Sequence, residues 1–194
     1  MAYISDRVLA ISIHKGWQSI ITTGAIRSAM LVMGAVLLSL LSVQTEAQGQ
    51  TLTGRVVAVA DGDTLTLLDD QRQQYKIRIA GIDAPEKQQP FGSASKASLS
   101  ELAFDQMATA VCPKRDRYGR SVCVVTVKGR DVGLEQIRRG MAWWYREYEH
   151  EQSASDRAEY ERLENYARSS KLGLWTAPDA VPPWSWRRAK RVNP

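Results

Sequence analysis

Four short clusters hold most of the side chains that could do chemistry. In chain order they are Asp61-Gly62-Asp63-Thr64, Arg78, Asp83-Ala84-Pro85-Glu86 and Asp116-Arg117-Tyr118-Gly119-Arg120. Singly, each has a plain structural reading. Asp-Gly between alternating apolar runs makes a hairpin turn, Asp-Ala-Pro-Glu suits a helix entry with acids near the N-terminal dipole, and Arg-Tyr-Gly-Arg suits an exposed turn with solvated charges. Together they supply what hydrolysis of a phosphodiester requires. Asp63 and Asp83 are hard oxygen donors which, with a backbone carbonyl and waters, would make an open, low-charge site for a divalent ion, with calcium expected. Such an ion polarises a phosphate oxygen and orients an attacking water, and Glu86 is placed to accept that water's proton. Arg78 and Arg120 would grip the phosphate through planar forks, a geometry lysine cannot reproduce. No side-chain nucleophile is needed.

The composition excludes rival chemistries. Of the two histidines, His14 lies in the leading segment and His150 in a Glu-rich stretch, so no multi-His metal site can form. Two cysteines, Cys112 and Cys123, are too few for a Cys-based structural zinc site. Lys and Arg outnumber Asp and Glu by 26 to 21, an excess that suits a polyanionic partner. With 44% hydrophobic and 24% charged residues among 194, the chain reads as a folded soluble domain, not as a disordered or multispanning one.

The elements that must position these residues follow from the patterning. Arg27 precedes a charge-free apolar run from Ser28 to Val43, short for a membrane span, and Thr45 and Ala47 place small residues where a signal peptidase would cut. Residues 1–47 are expected to be a signal peptide, with an uncleaved anchor as the alternative. Either puts the rest of the chain outside the cytoplasm, secreted or periplasmic, or membrane-anchored. Thr51 to Ile79 reads as a three-stranded meander, Ser93 to Ala110 as a helix, and Ala110 to Lys114 and Ser121 to Val127 as two further strands. Five strands with a helix between the third and fourth is the order of an oligonucleotide-binding (OB-fold) barrel, an α+β but mainly β class. Val132 to Arg139 and Ser153 to Lys171 read as helices stopped by Gly140 and Gly173. The tail, 176–194, is Pro-rich, then aromatic and basic (Trp184, Trp186, Arg187, Arg188, Lys190, Arg191). It reads either as a single-strand binding segment or as a Trp pair folded back on the barrel with a solvated basic end.

The ordered set DGDT, RIAGIDAPE ending in Glu86, DRYGR, Gly140-Met141-Ala142 and Gly173-Leu174-Trp175 resembles the staphylococcal nuclease (thermonuclease) family across residues 51–175. The resemblance implies a barrel with three helices and a calcium-dependent endonuclease that cuts DNA and RNA to 3′-phosphate ends. It implies that Asp63 and Asp83 ligate the metal with the Ala84 carbonyl, that Glu86 is the catalytic glutamate, and that Arg78 and Arg120 are the catalytic arginines. Tyr118 and Tyr148 fall where the family places tyrosines around the nucleotide, and Arg117 where it has a basic residue near a terminal phosphate.

The chain departs from the archetype at several points. Ala84 replaces a Thr, Arg146 replaces a second tyrosine, and the loop Lys87–Pro90 is shorter. Cys112 and Cys123 have no counterpart there; they flank the DRYGR turn on neighbouring strands, as a disulfide or as buried thiols. Trp143, Trp144 and Trp175 read as core or docking residues. A monomer acting on nucleic acid is expected, tethered to the membrane if residues 1–47 are retained. A non-catalytic OB-fold nucleic-acid-binding module is the alternative, and the complete set Asp63, Arg78, Asp83, Glu86 and Arg120 speaks against it.

Overall fold

The computed structural model describes residues 49–192. The expectations for residues 1–47 and a cut after Ala47 lie outside the described residues. Among the described residues no helix is long and apolar enough to cross a membrane.

Five principal strands close a barrel: β1 (Gln50–Val59), β2 (Thr64–Leu68), β3 (Gln74–Ile79), β5 (Met107–Arg115) and β6 (Ser121–Val127). Three two-residue strands complete the set, β4 (Ile82–Asp83), β7 (Arg130–Asp131) and β8 (Trp143–Trp144). The order in the sheet is β3-β2-β1-β5-β6-β7, and a parallel pairing of β3 with β6 closes it into a cylinder without open edges at that seam. Inward positions alternate along each strand, as a pleat buried on one face requires. Leu52 and Val56 of β1, Leu65 and Leu67 of β2, Ile77 and Ile79 of β3, Ala108 and Ala110 of β5, and Cys123 and Val125 of β6 fill the interior.

Among the described residues four α-helices follow in chain order, α1 (Gly92–Ala103), α2 (Val132–Arg138), α3 (Ala154–Ser169) and α4 (Pro183–Val192). The helix expected over Ser93 to Ala110 is therefore shorter. It stops at Ala103, the chain turns through Asp105 at φ 61°, and β5 starts at Met107, three residues before the expected Ala110. Side chains cap the starts of two helices: Asp131 accepts from the N–H groups of Gly133 and Leu134 at α2, and Ser153 accepts from the Asp156 N–H at α3. Helix α4 lies in the tail and was not expected.

Cys112 and Cys123 form a disulfide. They sit across from one another at a register shift between Val111 and Lys114, where Pro113, lacking an N–H, interrupts the ladder. Both are buried, so the bond pins β5 to β6 from inside the barrel, at the base of the DRYGR turn.

Candidate active site

The turn between β1 and β2 is built from its own acids. Asp61 accepts from the Asp63 N–H at 3.1 Å, the Thr64 hydroxyl donates to Asp63 at 3.0 Å, and the Asp63 carbonyl accepts from the Ile79 N–H at 2.8 Å, tying the turn to β3. Gly62 has to be glycine because a Cβ there would collide with Ser95 Oγ on α1 and with the Ala84 side chain. That close approach is held by the fully buried Gln136 of α2, whose amide donates to the carbonyls of Gly62 at 2.8 Å and Ser95 at 3.1 Å. Asp63 is thus fixed by local turn chemistry and by a polar hub behind it.

Asp83 is positioned differently. It lies on β4, whose partner β8 pairs Asp83 with Trp143 and Ile82 with Trp144. The Trp144 N–H donates to the buried Glu164 of α3 at 3.1 Å, so α3 anchors the strand that presents Asp83. Ala84, the next residue, donates its N–H to Asp63 Oδ2 at 2.9 Å, which joins the two acid-bearing segments directly.

Arg78 spans the pair. It projects from β3, opposite Thr64, and places Nη1 3.0 Å from Asp63 Oδ2 and Nη2 3.1 Å from Asp83 Oδ1. Glu86 lies just beyond, on a short loop closed by Gln89, whose side chain accepts from the Glu86 N–H at 3.1 Å and whose N–H donates to the Glu86 carbonyl at 2.8 Å. Arg120 is held by Asp116, a side chain that also accepts from the N–H groups of Tyr118 and Arg120 and so shapes the turn around Gly119 at φ 79°. From there Arg120 Nη1 donates to Thr64 Oγ1 at 3.2 Å, one hydrogen bond removed from Asp63. The structure thus brings Asp63, Arg78, Asp83, Ala84, Glu86 and Arg120 to one rim of the barrel.

The other residues singled out from sequence stand in the surrounding loops. Tyr118 is exposed at the tip of the DRYGR turn, with the guanidinium of Arg117 4.9 Å from its ring centre. Tyr148, also exposed, meets Tyr145 edge to face at 5.2 Å and carries Lys114 over its ring. Arg146 is turned away, donating to Glu164 at 2.9 Å and lying over the Trp144 ring. Trp143 and Trp144 are buried, and Trp143 packs edge to face on Trp175, as core residues do.

Three residues stand at the rim where the sequence reading gave them no place. Asp61 was legible only as a turn residue; burial and the charge of Asp63 push its carboxyl up to about 6. Tyr145, beside Arg146, packs edge to face on Tyr148; burial and its hydrogen bond to Glu147 push its hydroxyl up to about 12. The third is Arg187 of α4, whose Nη2 lies 2.8 Å from Asp83 Oδ2 and whose Nη1 lies 3.2 Å from Asp83 Oδ1 and 2.8 Å from Glu86 Oε1. Nothing local to residue 187 signals this contact, because it depends on where the tail returns.

Burial raises the Asp83 carboxyl above the usual range, against the hydrogen bond from Arg187 and the charge of Arg78. Four carboxyl groups, Asp61, Asp63, Asp83 and Glu86, share the rim with three guanidinium groups, Arg78, Arg120 and Arg187. Among the described residues no three His, Cys, Asp or Glu side chains converge as metal ligands.

The chain is similar to several known proteins. The family model described as staphylococcal nuclease homologue matches residues 76–177. A micrococcal nuclease from Shigella flexneri is 35% identical over 174 residues, covering 85% of this chain and 97% of that one. An uncharacterized endonuclease from Haemophilus influenzae is 36% identical over 157 residues, covering 81% and 85%. A staphylococcal-like nuclease from Arabidopsis thaliana is 33% identical over 119 residues, covering 61% of this chain and 35% of its own length.

Proposed function

Because the chain belongs to the staphylococcal nuclease family and is a hydrolytic endonuclease, we propose that it is an exported, calcium-dependent enzyme cutting DNA and RNA to 3′-phosphate ends. The observation that carries this reading is the bridge of Arg78 between Asp63 and Asp83, with Glu86 on the adjoining loop.

The donor set fits a divalent cation. Asp63 and Asp83, joined through the Ala84 N–H, are hard oxygen donors of the kind calcium takes, and their present arginine partners show that the pair attracts cations. With two carboxylate ligands, the remaining coordination falls to a backbone carbonyl, assigned to Ala84, and to solvent. Affinity is expected in the range of extracellular modules, about 10⁻⁴ to 10⁻³ M. The cation, when bound, supplies Lewis acidity to a phosphate oxygen and favours deprotonation of a neighbouring water.

Every other step belongs to the chain. Asp63 and Asp83 would hold the cation, and Arg78 beside them receives the phosphate whose charge grows in the transition state. Arg120, held by Asp116, approaches the same phosphate from the turn that precedes β6, so two forks share the developing charge. Glu86 takes the proton of the attacking water and needs no covalent intermediate to do so. Arg117 and Tyr118 on one loop and Tyr148 on another flank this centre as contacts for phosphate and nucleoside. The disulfide is the bond an oxidising compartment favours and supports the export reading, in which residues 1–47 act as the signal, or as a membrane tether if they are retained. The mature chain acts as a monomer.

The test is to incubate the purified protein with single-stranded DNA and RNA, in calcium or in chelator, and to identify the product ends. Cleavage with calcium alone, leaving 3′-phosphates, is expected. Equal cleavage in chelator would reject the metal assignment.

A further inference from the structure

Helix α4 plays no part in the reading above, yet it lies against the centre of it. It starts with Pro183 at its first position, where the missing N–H costs nothing. Residues 183, 186, 187 and 190 recur at helical spacing and form one face. Three contacts seat that face on the loop that carries Glu86. Gln89 Nε2 donates to the Val181 carbonyl at 2.6 Å, Lys190 donates to Gln88 Oε1 at 2.7 Å, and Trp186 shares an apolar pocket with Phe91, Trp143 and Leu174.

Two further contacts reach the functional groups themselves. Arg187 occupies both oxygens of Asp83 and one of Glu86, the atoms assigned above to cation binding and to proton transfer. Trp184 stacks on Tyr145 at 5.5 Å and 19°, beside Tyr148, one of the tyrosines assigned above to the nucleoside. The guanidinium thus sits on the oxygens assigned to the cation and to proton transfer, and the indole sits beside the nucleoside contact.

We propose that residues 177–192 are a pseudosubstrate strap: Arg187 and Trp184 hold the active site shut, and a divalent cation and nucleic acid displace them together. The proposal rests on the roles given above to Asp83 and Glu86. The outer side of the helix presents Arg188 and Arg191 to solvent, so an incoming phosphate backbone meets positive charge on the strap before it meets the acids. A strap closed in about nine molecules of ten lowers apparent cation affinity about tenfold, because only the open fraction binds.

The experiment titrates calcium by calorimetry into the full chain, Arg187→Gln and Trp184→Ala, and measures cleavage of single-stranded DNA at low and saturating calcium. Trp184 touches neither carboxylate, so its variant separates strap opening from the loss of a charge near the metal. Expected are calcium binding tightened about tenfold in Arg187→Gln and severalfold in Trp184→Ala, faster cleavage by both at low calcium, and equal cleavage by all three at saturation. Unchanged affinity in both variants, or tightening confined to Arg187→Gln, would overturn the strap. Loss of cleavage by Arg187→Gln at every calcium level would overturn it too, making Arg187 a substrate-gripping residue. Tightened binding in both variants with no cleavage by any of the three would keep the strap and reject the nuclease roles of Asp83 and Glu86.

Discussion

Asp83 and Asp116 each hold arginine, and their carboxyls move in opposite directions. At Asp83, burial outweighs the contacts from Arg187 and Arg78 and raises the carboxyl. At Asp116, burial is slight, and hydrogen bonds from the Arg120 side chain and from the N–H groups of Arg120 and Tyr118 hold the carboxyl below its usual range. The first is an acid kept charged at a cost, which makes it a good binder of cations; the second is an acid made comfortable, which makes it a good scaffold. The same ion pair on paper thus does two jobs, and the surroundings decide which.

The comparison can be broken most sharply at Asp83. Asp83→Asn is expected to remove calcium binding and cleavage below detection. In metal-free buffer its thermal midpoint should stay level or rise, because a buried charge is gone while Arg78 keeps Asp63 and Arg187 keeps Glu86. A large fall in the midpoint would show that the Asp83 carboxylate stabilises the fold. Glu86→Gln comes next, with turnover down by about 10² to 10⁴ and DNA affinity nearly unchanged; single-turnover kinetics separate the two, and near-normal turnover would remove Glu86 as the base. Arg120→Lys keeps the charge and loses the fork, so turnover should drop about 10² to 10³ while calcium binding holds.

Asp116→Asn sharpens the contrast from the other side. It should lower turnover about tenfold through a loosened Arg120, leave calcium affinity alone, and lower the thermal midpoint slightly, opposite to Asp83→Asn. Replacing Cys112 and Cys123 by Ser is expected to cost about 3 kcal/mol in denaturant unfolding, with the smallest effect on cleavage below the transition. If calcium affinity collapsed in that variant, the DRYGR turn and the acid cluster would be one unit and not two.

Much of this rim was readable from short-range order. Asp61 to Thr64 sit in one turn, and Arg78 and Asp83 belong to adjoining strands, so backbone geometry alone brings those groups together once the meander is recognised. The strand alternation carried the barrel for the same reason. The end of α1 was harder to read. Gln106 and Met107 continue a helical spacing from Leu99, but Met107 begins an outward-facing strand position and is exposed. Two-sided apolar strands such as β5 blur period two into period 3.6. Tyr145 was eclipsed by its neighbour Arg146, because one position in the register decides which of two adjacent side chains faces the rim. Arg187 was beyond reach, since 101 residues separate it from Glu86 and only tertiary packing of α4 unites them.

The parallel seam between β3 and β6 sets Ile77 against Ser121 and Arg78 against Val122, so the two guanidinium groups assigned to the phosphate become neighbours only when the cylinder shuts. Contacts so distant along the chain are among the last a folding polypeptide makes. A chain in which β3 and β6 have not yet paired therefore carries no assembled cutting edge, and activity waits on closure of the barrel.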